Sequence, residues 1–193
     1  MDKTSSLLVR PATADDWTAV EALFGRGGGS NGCWCQYWLL GADYHRRDRG
    51  ENRDDLHRQV TEGTTGLLAF ADGAPVGWAR LSPRSSLRWL TTRYRSYRFA
   101  DDDPWTLSCF VVSSSWRRNG VMRALISGAA EWADDHDVPL EAYPVDPEVP
   151  QATRNRFTGV LQPFLTSGFV ECGRLSPDRP VVRRGRPAER GRA

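Results

Sequence analysis

The segment from Thr106 to Ala130, TLSCFVVSSSWRRNGVMRALISGAA, constrains the fold more than any other. Leu107 to Val112 is a short run of β-forming apolar residues, bounded by Pro104 and by Ser113-Ser114-Ser115, as a buried strand requires. From Gly120 onward Val121, Leu125, Ala129 and Trp132 recur at helical spacing, with Ala124 and Ile126 beside them. Arg117, Arg118, Asn119 and Gly120 lie between. A helix start carries unpaired N–H groups and partial positive charge, glycine lets a ligand approach the backbone, and two arginines add full charge. The segment therefore predicts a strand, an anion-binding turn suited to a phosphate or diphosphate, and a helix.

The rest of the chain predicts a single α/β domain. Leu7–Arg10 is a strand candidate, followed by Thr13 as cap of a helix carrying Trp17, Val20, Leu23 and Phe24. Arg53 to Glu62 reads as a second helix, after a charged stretch from Asp43. Gly66–Phe70 and Val76–Leu81 flank Asp72-Gly73, a hairpin signal. Gly77 marks a bulge or a close backbone approach. Val138–Val145 predicts a strand, Ala152–Thr166 a helix interrupted or restarted at Pro163, and Ser167-Gly168-Phe169 a stop before a strand to Arg174. Pro180–Arg183 is expected as a final edge strand, and the basic stretch from 184 to 193 as a disordered tail.

Composition narrows the class. A formal net charge of +2 favours no particular partner, and no apolar run is long enough for a membrane span. The start of the chain lacks the apolar core of a signal peptide, so the expected location is cytoplasmic, with Cys33, Cys35, Cys109 and Cys172 reduced. The cysteine and histidine spacings do not form a zinc pattern, so no metal is expected. Residues 83–103 interleave arginines with Trp89, Tyr94, Tyr97 and Phe99; a substrate-side flap is expected, with a solvated loop next and nucleic-acid binding disfavoured.

Arg117-Arg118-Asn119-Gly120-Val121-Met122 resembles the acyl-CoA-binding motif of the GCN5-related N-acetyltransferase (GNAT) superfamily: Arg or Gln, two residues, Gly, one residue, then Gly or Ala. Met122 departs at the last place. VRPATADDWTAVEALF resembles the opening of that fold, LLAFADGAPVGWARL its second and third strands, and Gly168-Phe169 its ending; Cys33-Trp34-Cys35, Gly77-Trp78 and Tyr143-Pro144-Val145-Asp146 resemble one bacterial branch. The resemblance implies a GNAT fold over 1–183, with a mixed central sheet flanked by helices. It implies an enzyme that transfers acetyl from acetyl-CoA, as co-substrate, to an amino group of a small-molecule acceptor; the alternative is an inactive acyl-CoA-binding sensor or scaffold. A homodimer is compatible with it.

By that resemblance Phe110, Val111 and Val112 line the pantetheine arm, and Arg117, Arg118, Asn119, Gly120, Val121, Met122 and Arg123 wrap the diphosphate. Trp34, Tyr37, Trp38 and Trp78 are acceptor-pocket candidates, with packing in the core as the alternative. The family's usual tyrosine acid aligns with Phe164, which has no proton to give. Glu141 is then a candidate base beside the cleft, with Asp146 at the same strand's end, and Cys109, Tyr143 or a water is the candidate acid. A paired strand carboxylate is the alternative for Glu141.

Overall fold

The computed structural model describes residues 6–63, 65–153 and 155–185. The sheet is seven-stranded, in the order β1-β2-β3-β4-β5-β7-β6. Its strands are β1 (Leu7–Pro11), β2 (Gly66–Ala71), β3 (Ala74–Pro83), β4 (Trp105–Val112), β5 (Leu140–Ala142), β6 (Val170–Ser176) and β7 (Arg179–Arg184). All neighbours are antiparallel except β4 and β5, which the crossover helix α5 (Val121–Asp135) forces to be parallel.

The chain enters through a reciprocal cap. The Asp16 carboxylate accepts from Thr13 N–H at 2.8 Å and is held by Arg10 at 2.6 and 2.7 Å, and α1 (Trp17–Phe24) follows. Between α1 and β2 lie α2 (Tyr37–Leu40) and α3 (Arg49–Thr61). The second helix thus starts four residues before the expected Arg53, because Asp48 caps it by accepting from Gly50 N–H at 2.7 Å. The hairpin turns on Asp72 and Gly73 with φ of 49° and 78°, the conformation that Asp-Gly favours.

Gly77 marks a close approach. A Cβ there would lie 2.4 Å from Val121 Cγ1 and 3.1 Å from Leu125 Cδ1, so α5 packs directly on β3. On the same face Leu67, Ala69, Ala79, Leu107, Leu125, Ile126 and Ala129 are fully or almost fully buried. Burying aliphatic side chains of this size stabilises a fold by about 1.5–3 kcal/mol each, before the entropy of ordering the chain.

Three elements differ from their sequence expectation. β5 is confined to Leu140–Ala142, because β4 and β5 pair only from Trp105↔Leu140 to Leu107↔Ala142 and then diverge. The long helix expected from Ala152 is not formed: the described residues before 161 are irregular, with a turn at Phe157-Thr158, and only α6 (Leu161–Thr166) is helical. Gly159 at φ 82° and extended Val160 break it, and Pro163 falls in the first turn, where no intrahelical N–H is required of it. β7 is not an edge strand but sits between β5 and β6. Arg184, expected in the tail, ends β7, and residues 186–193 lie outside the described chain.

The insert is anchored rather than solvated. Within it α4 (Arg88–Arg93) places Leu87 and Leu90 in a buried cluster with Trp38, Tyr143 and Val181. No helix among the described residues is long and apolar enough to cross a membrane.

Candidate active site

Where β4 and β5 separate, the sheet opens onto a cavity of about 920 Å³. Its strand wall is Cys109, Phe110, Val111 and Val112, and Arg117 and Met122 line it from the turn and first helical residues beyond. Its other wall carries Tyr37, Trp38, Tyr44, His45, Tyr94, Phe157 and Arg179.

Backbone polarity on the strand wall follows from pleating. Ser108 C=O accepts from Trp38 Nε1 at 3.0 Å, and Phe110 N–H donates to Phe157 C=O at 2.7 Å, so both point toward the β5 side. Successive residues of a strand direct their amides to opposite sides, so Val112 N–H points the same way as Phe110 N–H. Phe110 N–H is thus already taken by Phe157 C=O in this arrangement.

The turn beyond β4 is rich in unpaired backbone N–H groups and positive charge. Gly120 is the N-cap of α5 at φ 78°, Arg118 is left-handed at φ 65°, and no side chain caps the helix. Ala124 N–H reaches Gly120 C=O at 3.0 Å, which leaves the first-turn N–H groups of Val121, Met122 and Arg123 without intrahelical partners. No acidic residue lies in that turn, and Arg117, Arg118 and Arg123 are exposed around it. Asn119 braces the turn by donating from Nδ2 to Arg117 C=O at 3.0 Å. Val121 is buried against Gly77, so it anchors the helix and does not line the cavity.

The Cys109 and Cys33 thiols are pushed toward their neutral form. Cys35 Sγ lies 2.8 Å from Cys109 Sγ, and this contact together with burial pushes the Cys109 thiol well above its ordinary value. Burial raises Cys33 to about 11. Behind them Arg80, 2% exposed, donates to Gln59 Oε1 at 2.7 Å and to Cys35 C=O at 3.4 Å. A neutral Cys109 is a proton carrier and not a nucleophile. Cys35 and Trp34 both adopt positive φ, at 58° and 45°, so the segment before α2 is strained where it meets the cavity. Among the described residues no three His, Cys, Asp or Glu side chains cluster as metal ligands would.

Several expected residues lie elsewhere. Trp34 and Trp78 are 5% and 0% exposed in a cluster with Phe24, Leu56 and Val60, so they are core residues and do not line the cavity. Glu141 sits where β4 and β5 are still paired, 2% exposed, and does not line it either. Its carboxylate accepts from Arg84 Nη1 at 3.3 Å and from the Tyr143 hydroxyl, and lies 3.5 Å from Arg183 Nε. Tyr143 is fully buried, and burial with the Glu141 charge drives its phenol well above its ordinary value. Both face an ion cluster, and Glu141 lines a separate cavity of about 530 Å³ with Tyr97, Phe99 and Arg183. Asp146 is tied to Arg174 Nη1 at 2.9 Å. Tyr37, Trp38 and Cys109 line the cavity.

Arg179, Tyr44 and His45 were missed. No motif marks them, and Arg179 reaches the cavity only because β7 inserts beside β5.

A family model described as "Acetyltransferase (GNAT) family" matches residues 34–152. The chain belongs to the GNAT acetyltransferase family. Its fold is similar to that of solved GNAT proteins. A histone acetyltransferase HPA2-related acetyltransferase from Corynebacterium glutamicum is 19% identical, with 96% of this chain and 99% of that chain covered at a TM-score of 0.58. A GNAT-family acetyltransferase from Listeria monocytogenes is 15% identical, with 95% and 97% covered at 0.59. The PaiA N-acetyltransferase of Thermoplasma acidophilum, solved in complex with coenzyme A, is 12% identical, with 94% and 99% covered at 0.52. Among curated proteins none matches. These identities establish a shared GNAT fold.

Proposed function

We propose that this protein transfers an acetyl group from acetyl-CoA to the amino group of a small-molecule acceptor. The observation that carries this reading is the uncapped start of α5, ringed by arginines, opening onto a cavity that runs along β4 where it has parted from β5. Its residues fit coenzyme A. The first-turn N–H groups and Arg117 suit a diphosphate, and Phe110, Val111, Val112 and Met122 offer an apolar wall for the pantetheine arm.

The chemistry asks for three things of the chain. The attacking amine must be neutral, although an alkylamine holds its proton to a pKa near ~10. No Asp or Glu among the described residues lines the cavity, so His45, which does, is the side chain assigned to take that proton. The thioester oxygen gains negative charge as the amine attacks, and Val112 N–H, directed to the cleft side, is the strand donor assigned to it. The departing thiolate needs a proton; Cys109 is the thiol that β4 presents there, but its contact with Cys35 and its burial make it a weak acid, so we assign that proton to water.

Calorimetry with coenzyme A tests the binding step. Arg117→Glu should weaken affinity at least about tenfold, since charge-assisted contacts contribute about 1.5–3 kcal/mol. Unchanged affinity would remove the assigned site. One observation favours an acyl-CoA-binding protein without turnover: Phe157 C=O already occupies Phe110 N–H. Coenzyme A release measured across an amine panel separates the two. Tight binding with no release on any amine would support the non-catalytic reading.

A further inference from the structure

Charge in the cavity is one-sided. Arg117, Arg156 and Arg179 line it, and no carboxylate among the described residues does. Arg117 belongs to the helix start assigned above to the diphosphate, which leaves Arg156 and Arg179 on the acceptor wall.

Arg179 is 7% exposed. Its Nη1 donates to Tyr143 C=O and to Thr158 Oγ1, both at 2.9 Å, and its guanidinium lies 5.8 Å from the centre of the Trp38 ring. These partners are neutral. Asp178, the adjacent carboxylate, is turned to Thr153 N–H at 2.9 Å and Ser176 Oγ at 2.8 Å; it feels the Arg179 charge but makes no direct ion pair with it. Elsewhere the fold supplies a counter-charge: Arg84, similarly buried, has Glu141 at 3.3 Å, and Arg10 has Asp16 at 2.6 Å. Arg80 also lacks a carboxylate, but it does not line the cavity. A cation withdrawn from water without a carboxylate in direct contact is costly, and one facing a cavity can take that contact from the ligand.

Around Arg179 the wall is aromatic. Trp38 lies 6.0 Å from Phe157 and 6.3 Å from Tyr94, and Tyr37 lies 5.4 Å from Phe157. Trp38 also bonds Ser108 C=O, one residue from Cys109, so this box adjoins the strand where transfer is assigned.

We infer that the acceptor is a small amine that carries its own carboxylate, of the amino-acid class with an apolar or aromatic side chain, whose carboxylate pairs with Arg179. This rests on the acyl-transfer reading above. The amine nitrogen forms the new bond to the acyl carbon as the C–S bond breaks; the nitrogen loses one proton and the coenzyme A thiolate gains one. Polycationic acceptors are disfavoured by repulsion from the same arginines.

The test uses matched compounds. Coenzyme A release is measured with L-phenylalanine, its methyl ester and 2-phenylethylamine, with spermidine as the polycation and O-phosphoethanolamine against ethanolamine for a phosphate. In a second arm phenylacetate and phenylacetamide are titrated by tryptophan fluorescence into protein saturated with coenzyme A. The free acid should exceed its ester and decarboxylated amine by about 10- to 100-fold in kcat/KM, and phenylacetate should bind correspondingly tighter than the amide. Arg179→Met should collapse both preferences to within about threefold, with Arg179→Lys between, at unchanged affinity for coenzyme A. Should Arg179→Met not fold, the wild-type comparisons and the exposed Arg156→Ala variant decide. Equal use of acid and ester, equal binding of phenylacetate and phenylacetamide, or a phosphate outperforming the acids would overturn the inference. No binding of coenzyme A by unloaded protein, with the phenylacetate preference intact there, would sink the acyl-transfer reading and not this subsite.

Discussion

Replacing Glu141 separates a structural carboxylate from a catalytic one. The side chain is 2% exposed and lies within 3.5 Å of two arginine nitrogens, Arg84 Nη1 and Arg183 Nε, while also accepting from Tyr143. At an effective dielectric of about 20, unit charges ~4 Å apart attract by about 4 kcal/mol, and desolvation of the ions offsets much of it. Glu141→Ala leaves two cations facing a pocket they cannot hydrate fully, so the expected loss is about 3–5 kcal/mol. Glu141→Gln keeps a hydrogen-bond acceptor and should lose about half as much. A typical domain has only about 5–15 kcal/mol in total, so the alanine variant is near the edge of folding. At about 2–4 °C per kcal/mol for this size, its melting temperature should fall by roughly 6–20 °C. Urea denaturation and thermal melts give the stability, and coenzyme A release by the folded glutamine variant gives the activity. Because Arg84 also donates to the carbonyls of Ala100 and Asp102, the loosened part should include the insert. A glutamine variant within about 1 kcal/mol of the parent, yet slower by more than about a hundredfold with an altered pH profile, would refute this reasoning and restore Glu141 as a base.

Other outcomes follow from the same geometry. Gly77→Ala should cost about 1–3 kcal/mol by driving a methyl into Val121, and should weaken coenzyme A binding in calorimetry because α5 carries the anion turn; unchanged affinity would uncouple packing from site. Asp16, held well below the usual carboxylate range by Arg10, has a folded pKa beneath its unfolded one, so its stabilisation is complete above about pH 4 and is lost as pH falls further. Acid denaturation of Asp16→Asn should accordingly show a shallower slope below pH 4 than the parent. Cys33, raised to about 11, should react slowly with iodoacetamide at pH 8, its rate rising close to tenfold per pH unit toward pH 10; fast labelling at pH 8 by mass spectrometry would contradict that burial.

Local sequence already determined the strand–turn–helix unit from Thr106 to Ala130, the Asp72-Gly73 hairpin and the Thr13 cap. Each is set by interactions within a few residues: glycine at positive φ, a side-chain cap, an apolar period. The family resemblance rested on the same unit, so the cofactor half of the candidate site was legible through Arg117, Gly120 and Met122. The acceptor half was not. Trp34 and Trp38 are four residues apart in similar company, yet one is packed beneath Phe24 and the other lines the cavity beside Arg179. Glu141 looks like a cleft carboxylate along the chain, but β7 and the insert bring Arg183 and Arg84 to it and turn it into the centre of an ion cluster. Whether a charge is catalytic, structural or awaiting a ligand depends on what lies opposite it across the sheet. That was decided only when strands far apart in sequence came into register.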